Sequence, residues 1–322
     1  MRNSDILRFF LLTALLTGLV FLADFALYPC TYMRNDVHSV TTTHHDVLFL
    51  GTSNGKMNLD PDTVLAGTDL SGHNLCNGNQ FPVDSYHLLQ LAIETQKPSV
   101  VVFDVDPAVF VTDKARGNNY LLFYHEFPLS RAKISYFFDT VAECDIRSLL
   151  FPFYEYPLST ELSRVRDTVY QKANHDYDVS YLKGTTGEYH ENGWMERYPV
   201  AVSDFPAMSA RAFSTEDLRR DHVSYLEQMI TLCKANNITF MAVSLPQAEE
   251  TLASFPEAFE SAWDYFDAFF SVYDVPYYNF NREYYDTVSH DLLRYVDYNG
   301  HMNGESAVSF SGILGSTLSF SN

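Results

Sequence analysis

Ser53, Asp297 and His301 are the residue types that acyl transfer needs. A hydroxyl attacks an ester carbonyl when a base removes its proton. Imidazole is the usual base near neutral pH, and a carboxylate holds the ring in the accepting tautomer. Ser53 lies in DVLFLGTSN (residues 46–54), where four apolar residues stop at a glycine and three polar residues. Asp297 and His301 stand four residues apart in YVDYNGHMN (295–303). The oxyanion formed on attack needs N–H groups aimed at one point. The Ser53 and Gly78 backbone N–H groups are candidates, with the side-chain amides of Asn54, Asn79 and Gln80 close enough in sequence to touch substrate. Each feature alone is ordinary, since Gly, Thr, Ser and Asn form turns and Asp caps helices.

The elements that must position these residues alternate between strand and helix. DVLFL, the stretch DLSGHNLC (69–76), SVVVFDVD (99–106), ITFMAVSLP (238–246) and VPYYNF (275–280) read as five strands. The third is a continuous β-branched run, as expected of a strand buried on both faces. Helices are expected over 53–66 (short), Pro82 to Gln96, Thr215 to Asn236 behind an S-T-E-D cap, 247–271, and Asn303 to about 319. This alternation implies an α/β fold: three layers, α/β/α, around a mostly parallel five-stranded sheet. Ligands of such sheets bind at the carboxyl ends of the strands, where GTSN, NGNQ (77–80) and YVDYNGHMN should meet. Residues 107–215 are less regular. They are expected to form an inserted, lid-like region with helices near 129–142 and 158–174 and the loop KGTTGEYHENGWMERYP (183–199).

Bulk composition narrows the class. The chain has 322 residues, 46% of them hydrophobic, enough for one sizeable body. Its net charge of −20 repels phosphate backbones and argues against nucleic acid as a partner. Cys30, Cys76, Cys144 and Cys233 are scattered without metal-ligand spacing and are expected to be wholly or partly unpaired. No cofactor or nucleotide motif stands out. His44-His45, His175 and His190-Glu191 read as surface residues, and Asp104 and Asp106 as caps of the turn after the third strand.

The amino terminus bears on the compartment. Arg2 and Arg8 flank FFLLTALLTGLVFLA (9–23), and Asp24 and FALYP follow. About 20 residues over 9–28 match the thickness of a bilayer core. Residues 1–30 are expected to be an uncleaved anchor, placing 31–322 outside the cytoplasm at the cell membrane. A cleaved export signal and a buried core helix are the alternatives.

The two outer motifs resemble blocks of the SGNH (GDSL-like) hydrolase superfamily. GTSN resembles its first block, and YVDYNGHMN its last, an Asp-x-x-His near the end of the chain. NLCNGNQFPVDSYHLL (74–89) resembles the second block of membrane-anchored bacterial relatives, such as the D-alanyl transfer proteins of teichoic acid assembly and alginate O-acetyltransferase-like proteins. The resemblance implies a flavodoxin-like sheet, Ser53 as nucleophile, His301 and Asp297 as its partners, and Gly78 as an oxyanion donor. It also implies an esterase or O-acyltransferase acting on cell-envelope or extracellular glycans, acylated or acceptor, with a membrane-bound O-acyltransferase as a partner for transfer. The other reading is an inactive, glycan-binding or assembly member. Two positions depart from the pattern: Asp297 and His301 have one extra residue between them, and Asp104 and Asp106 stand where a third block would place an Asn.

Overall fold

A computed structural model describes residues 3–114, 118–142, 144–151, 162–202, 213–318 and 320. Five parallel strands form its central sheet among these residues: β1 (Val47–Leu50), β2 (Gly72–Asn74), β3 (Val100–Asp104), β6 (Thr239–Ser244) and β7 (Tyr277–Asn279). An antiparallel hairpin, β4 (Gly187–Tyr189) and β5 (Met195–Arg197), lies between β3 and β6 in the chain. The sheet order is β2-β1-β3-β6-β7. Chain order therefore reverses between β1 and β3, and such a switch point is where a doubly wound sheet opens a crevice at its carboxyl edge. β1 and β3 are buried along their whole length, which explains their unbroken apolar runs.

Successive side chains of a strand point to opposite faces, and here each face has its own core. Leu48, Leu50, Val101, Phe103, Phe240 and Ala242 pack with α2 (Tyr32–Thr42), α5 (Pro82–Thr95) and the helices Arg220–Ala235 and Pro256–Tyr273. Val47, Phe49, Val100, Val102, Met241 and Val243 pack with α4 (Pro61–Val64) and the helix Gly304–Thr317. The fold is α/β with helices on both faces of a parallel sheet, as the sequence pattern implies. Phe266 and Phe270 of the aromatic stretch DYFDAFFSVYDVPYYNF lie in the first core.

Several element boundaries differ from expectation. The S-T-E-D cap opens only a 3₁₀ turn, Thr215–Asp217; the Arg219 N–H then bonds to Phe110 O, and the long helix starts afresh at Arg220. The helix expected over 247–271 is split into Glu249–Ser254 and Pro256–Tyr273, because Pro256 has no N–H to continue the first piece. Over 107–215 the described residues are more regular than expected. They include the helices Asn118–Glu126, Arg131–Tyr136, Ile146–Leu150 and Leu162–Asn174 besides the hairpin. Positions 158–161 of the helix expected from 158 lie outside the described residues. The four cysteines form no disulfide.

Helix α1 (Asn3–Leu27) is long and apolar enough to cross a membrane, and nearly all its side chains are exposed. Its carboxyl end is tied to the body: Lys172 Nζ donates to Phe25 O and Tyr28 O, and the Phe21 and Phe151 rings meet edge to face.

Candidate active site

β1 ends at Gly51, whose φ of +149° lies in a region that favours glycine. A Cβ there would stand 2.4 Å from Asp104 Cβ at the end of β3. The chain thus turns sharply over Asp104 and enters α3 (Ser53–Asn58), with Thr52 as N-cap and Ser53 as its first residue. One carboxylate oxygen holds this turn. Asp104 Oδ2 accepts the Thr52 N–H at 3.1 Å, the Thr52 hydroxyl at 2.9 Å and the Gly55 N–H at 3.1 Å. Burial, aided by the neighbouring Asp106 charge, pushes the Asp104 carboxyl up to about 7 against these three donors. Asp104 therefore caps the turn after β1, not the turn after its own strand that the sequence suggests. Half-buried Asp106 caps that following turn, with Oδ1 accepting from Ala108 N–H.

The opposite wall is the loop before the last helix. Val296 N–H bonds to His301 O, and Tyr295 bridges Met302, so the loop closes on itself with Asp297 and His301 across its base. Gly300, at φ +88°, supplies the left-handed residue this closure needs and packs against Gln247. The extra residue between Asp297 and His301 is absorbed there, and His301 Nδ1 stands 2.7 Å from Asp297 Oδ2. An ionised carboxylate only accepts, so Nδ1 carries the proton and Nε2 is left as acceptor. Nε2 lies 2.9 Å from Ser53 Oγ. Burial alone would raise the Asp297 carboxyl. The His301 hydrogen bond and charge, with the Asn299 and His301 N–H groups, outweigh burial and hold it below the ordinary range.

The structure thus brings Ser53, His301 and Asp297 into one hydrogen-bonded chain, with the His301 side chain 14% exposed and Asp297 35%. The other candidates fall around it unevenly. Gly78 lies half-buried in the turn after β2, with nothing within 4 Å of where a Cβ would stand. That turn meets the serine turn through Asn77 N–H to Gly51 O. Asn79 is exposed at φ +55°. Gln80 is buried and spends Nε2 on Ser85 Oγ. Asn54 is buried and turns Nδ2 toward Asp106 Oδ2, 3.4 Å away. The amide nitrogens of Gln80 and Asn54 are thus engaged inside the protein, while Gln80 Oε1 and Asn54 Oδ1 are buried without a hydrogen-bond partner. His190 pairs with Glu196 and stacks on Trp194. Among the described residues no His, Cys, Asp and Glu group is arranged to hold a metal ion.

Two positioning residues have no signal in the sequence. Fully buried Asn58, at the end of α3, donates Nδ2 to Gly300 O at 2.7 Å and accepts Met302 N–H at 2.8 Å. It fastens the histidine loop to the serine helix. Buried Lys56 pairs with Asp36 of α2 at 2.8 Å, and His73 Nε2 and the Tyr189 hydroxyl complete the Asp36 shell. Burial would raise Asp36, but Lys56 and His73 hold it low. Replacing Asn58 with Ala strands a carbonyl and an N–H, and is expected to cost about 2–3 kcal/mol in chemical denaturation. It should also lower the reactivity of Ser53.

Comparison with known proteins adds no relative: no family model matches the chain, and no curated protein matches it.

Proposed function

We propose that the protein is a serine-dependent acyl esterase or O-acyltransferase of the SGNH-like class, acting on cell-envelope or extracellular glycans. The observation that carries this reading is the continuous chain Ser53 Oγ, His301 Nε2, His301 Nδ1, Asp297 Oδ2, with links of 2.9 and 2.7 Å. In this mechanism Ser53 Oγ attacks the ester carbonyl as His301 Nε2 takes its proton. His301 then returns the proton to the departing alkoxide, leaving an acyl-Ser53 ester. Water or an acceptor hydroxyl, deprotonated in turn by His301, attacks the acyl carbon, and His301 passes that proton to Ser53 Oγ as the acyl–Oγ bond breaks. Asp297 holds the imidazole and stabilises its charged form. The Ser53 and Gly78 N–H groups are the proposed oxyanion donors. The glycan and the acyl-delivering membrane partner come from the sequence resemblance alone. The exposed apolar length of α1 and the Arg2 and Arg8 flank support a membrane anchor with the body outside the cytoplasm.

A serine-directed fluorophosphonate tests the nucleophile. The full chain should label with one-to-one stoichiometry at Ser53, identified by peptide mass, and Ser53→Ala should not label. Equal labelling of both, or of neither, would remove the serine from the mechanism.

A further inference from the structure

We infer that Arg197 forms a subsite for an oxyanion, a carboxylate or phosphate, on the substrate whose acyl group reaches Ser53. The inference rests on the serine-acyl reading above and names the substrate class for the same site. Strand β5 touches both α3 and the start of the last helix. Trp194, just before it, donates Nε1–H to Met57 O in α3. The Glu196 carboxylate closes on Gly304, three residues after His301, leaving no room for a side chain there. Arg197, the last residue of β5, reaches Met57 with Nη1 4.0 Å from Sδ. Met57 lies four residues after Ser53, so the two side chains share one face of α3. Ser53, Met57 and Arg197 are all half-exposed.

The guanidinium is held there and left uncompensated. In the antiparallel register Arg197 faces Gly187. A Cβ on residue 187 would stand 2.2 Å from Glu196 O, so the glycine allows the close approach of β5, and the Arg197 stem lies against it at ordinary contact distance. The carboxylates of the two hairpin strands are already taken: Glu188 by Lys183 and Tyr198, Glu196 by His190. No carboxylate among the described residues pairs with Arg197, and its Nε is buried without a hydrogen-bond partner. In a chain with 41 acidic residues against 21 Lys and Arg, an unpaired guanidinium on Met57, one turn of α3 from Ser53, fits a specific recognition element. Its planar fork suits a carboxylate or phosphate. The geometry therefore selects an acyl ester that carries its negative charge about one helical turn from the reacting carbonyl.

Hydrolysis of phenyl acetate, para-acetoxybenzoate and para-acetoxyphenyl phosphate by the full chain tests the subsite. For Arg197→Gln, kcat/KM should fall roughly five- to tenfold on the anionic esters, mostly through KM, and stay within about twofold on phenyl acetate. Arg197→Lys should lie between, since a point charge replaces the fork. The ester with the larger loss identifies carboxylate or phosphate as the natural group. Equal losses on all three esters would make Arg197 structural, and no loss on the anionic pair would remove the subsite.

Fluorine NMR separates this inference from the serine reading. Wild type should broaden the para-(trifluoromethyl)benzoate signal more than that of the matching benzyl alcohol, and Arg197→Gln should abolish the difference. If wild type hydrolyses nothing and takes no fluorophosphonate, the serine reading falls and the oxyanion subsite stands or falls on this binding result alone.

Discussion

Asp297→Asn is expected to lower kcat for ester hydrolysis by about three to four orders of magnitude while leaving the fold intact. The substitution is nearly isosteric, and Asn can still accept Asn299 N–H through its oxygen, replacing the 2.7 Å bond to Asp297 Oδ1. What changes is the other arm. The carboxylate oxygen facing His301 becomes an N–H₂ donor, and the imidazole answers by presenting an unprotonated Nδ1. The proton moves to Nε2, which then meets the Ser53 hydroxyl as a donor and cannot take its proton. Stopped-flow or steady-state assays should show the loss in kcat with little change in KM, because Asp297 touches His301 and not the ester. A loss below tenfold, with thermal melting unchanged, would mean that Asp297 does not orient the base. In the wild type the carboxyl is held below its ordinary range, so this arm stays ionised to more acid pH than a free aspartate does. The stability it contributes is present above the unfolded value and is lost as pH falls through the lowered one.

The five strands were legible because their cues are local: an unbroken β-branched run at 100–104, apolar stretches ending in turn residues, and helix periodicity between them. Ser53, Asp297 and His301 were legible because two short motifs fell where a parallel sheet would bring them together. The supports were hidden because their meaning is tertiary. Asn58 reads as any polar residue ending a short helix, and only the folded chain shows it bonding residues more than 240 positions away. Lys56 reads as a surface lysine, yet it is buried against Asp36. Arg197 sits in a stretch with no periodicity, and its role depends on a hairpin register that pairs it with Gly187. The extra residue between Asp297 and His301 looked like a departure in sequence. It is accommodated by one left-handed glycine, Gly300, a cost that glycine scarcely bears.

Asp104 is where stability and the site meet, and its replacement should have the largest effect on the fold. Asp104→Ala is expected to destabilise the protein by about 3 kcal/mol or more in chemical denaturation, since the buried Thr52 and Gly55 N–H groups lose their acceptor. Fluorophosphonate labelling of Ser53 should slow as the turn over Gly51 loosens. Asp104→Asn keeps an acceptor oxygen and mimics the protonated acid, so it should retain most of the stability at neutral pH. The two variants together separate the hydrogen bonds from the charge. Because the folded carboxyl is raised to about 7, from about 4 when unfolded, the folded protein binds the extra proton between those values. The stability Asp104 contributes is therefore fully present below about pH 4 and declines as pH rises toward 7. Buried His45 and half-buried His125, both lowered to about 4 chiefly by desolvation, act in the opposite sense, losing stability as pH falls below about 6.5. The measurement is thus the difference between wild type and Asp104→Asn, which cancels the histidines. That difference should favour wild type more at pH 5 than at pH 8. A difference that is flat, or that grows with pH, would place a fully ionised carboxylate beneath the serine turn and overturn this account of how the turn is held.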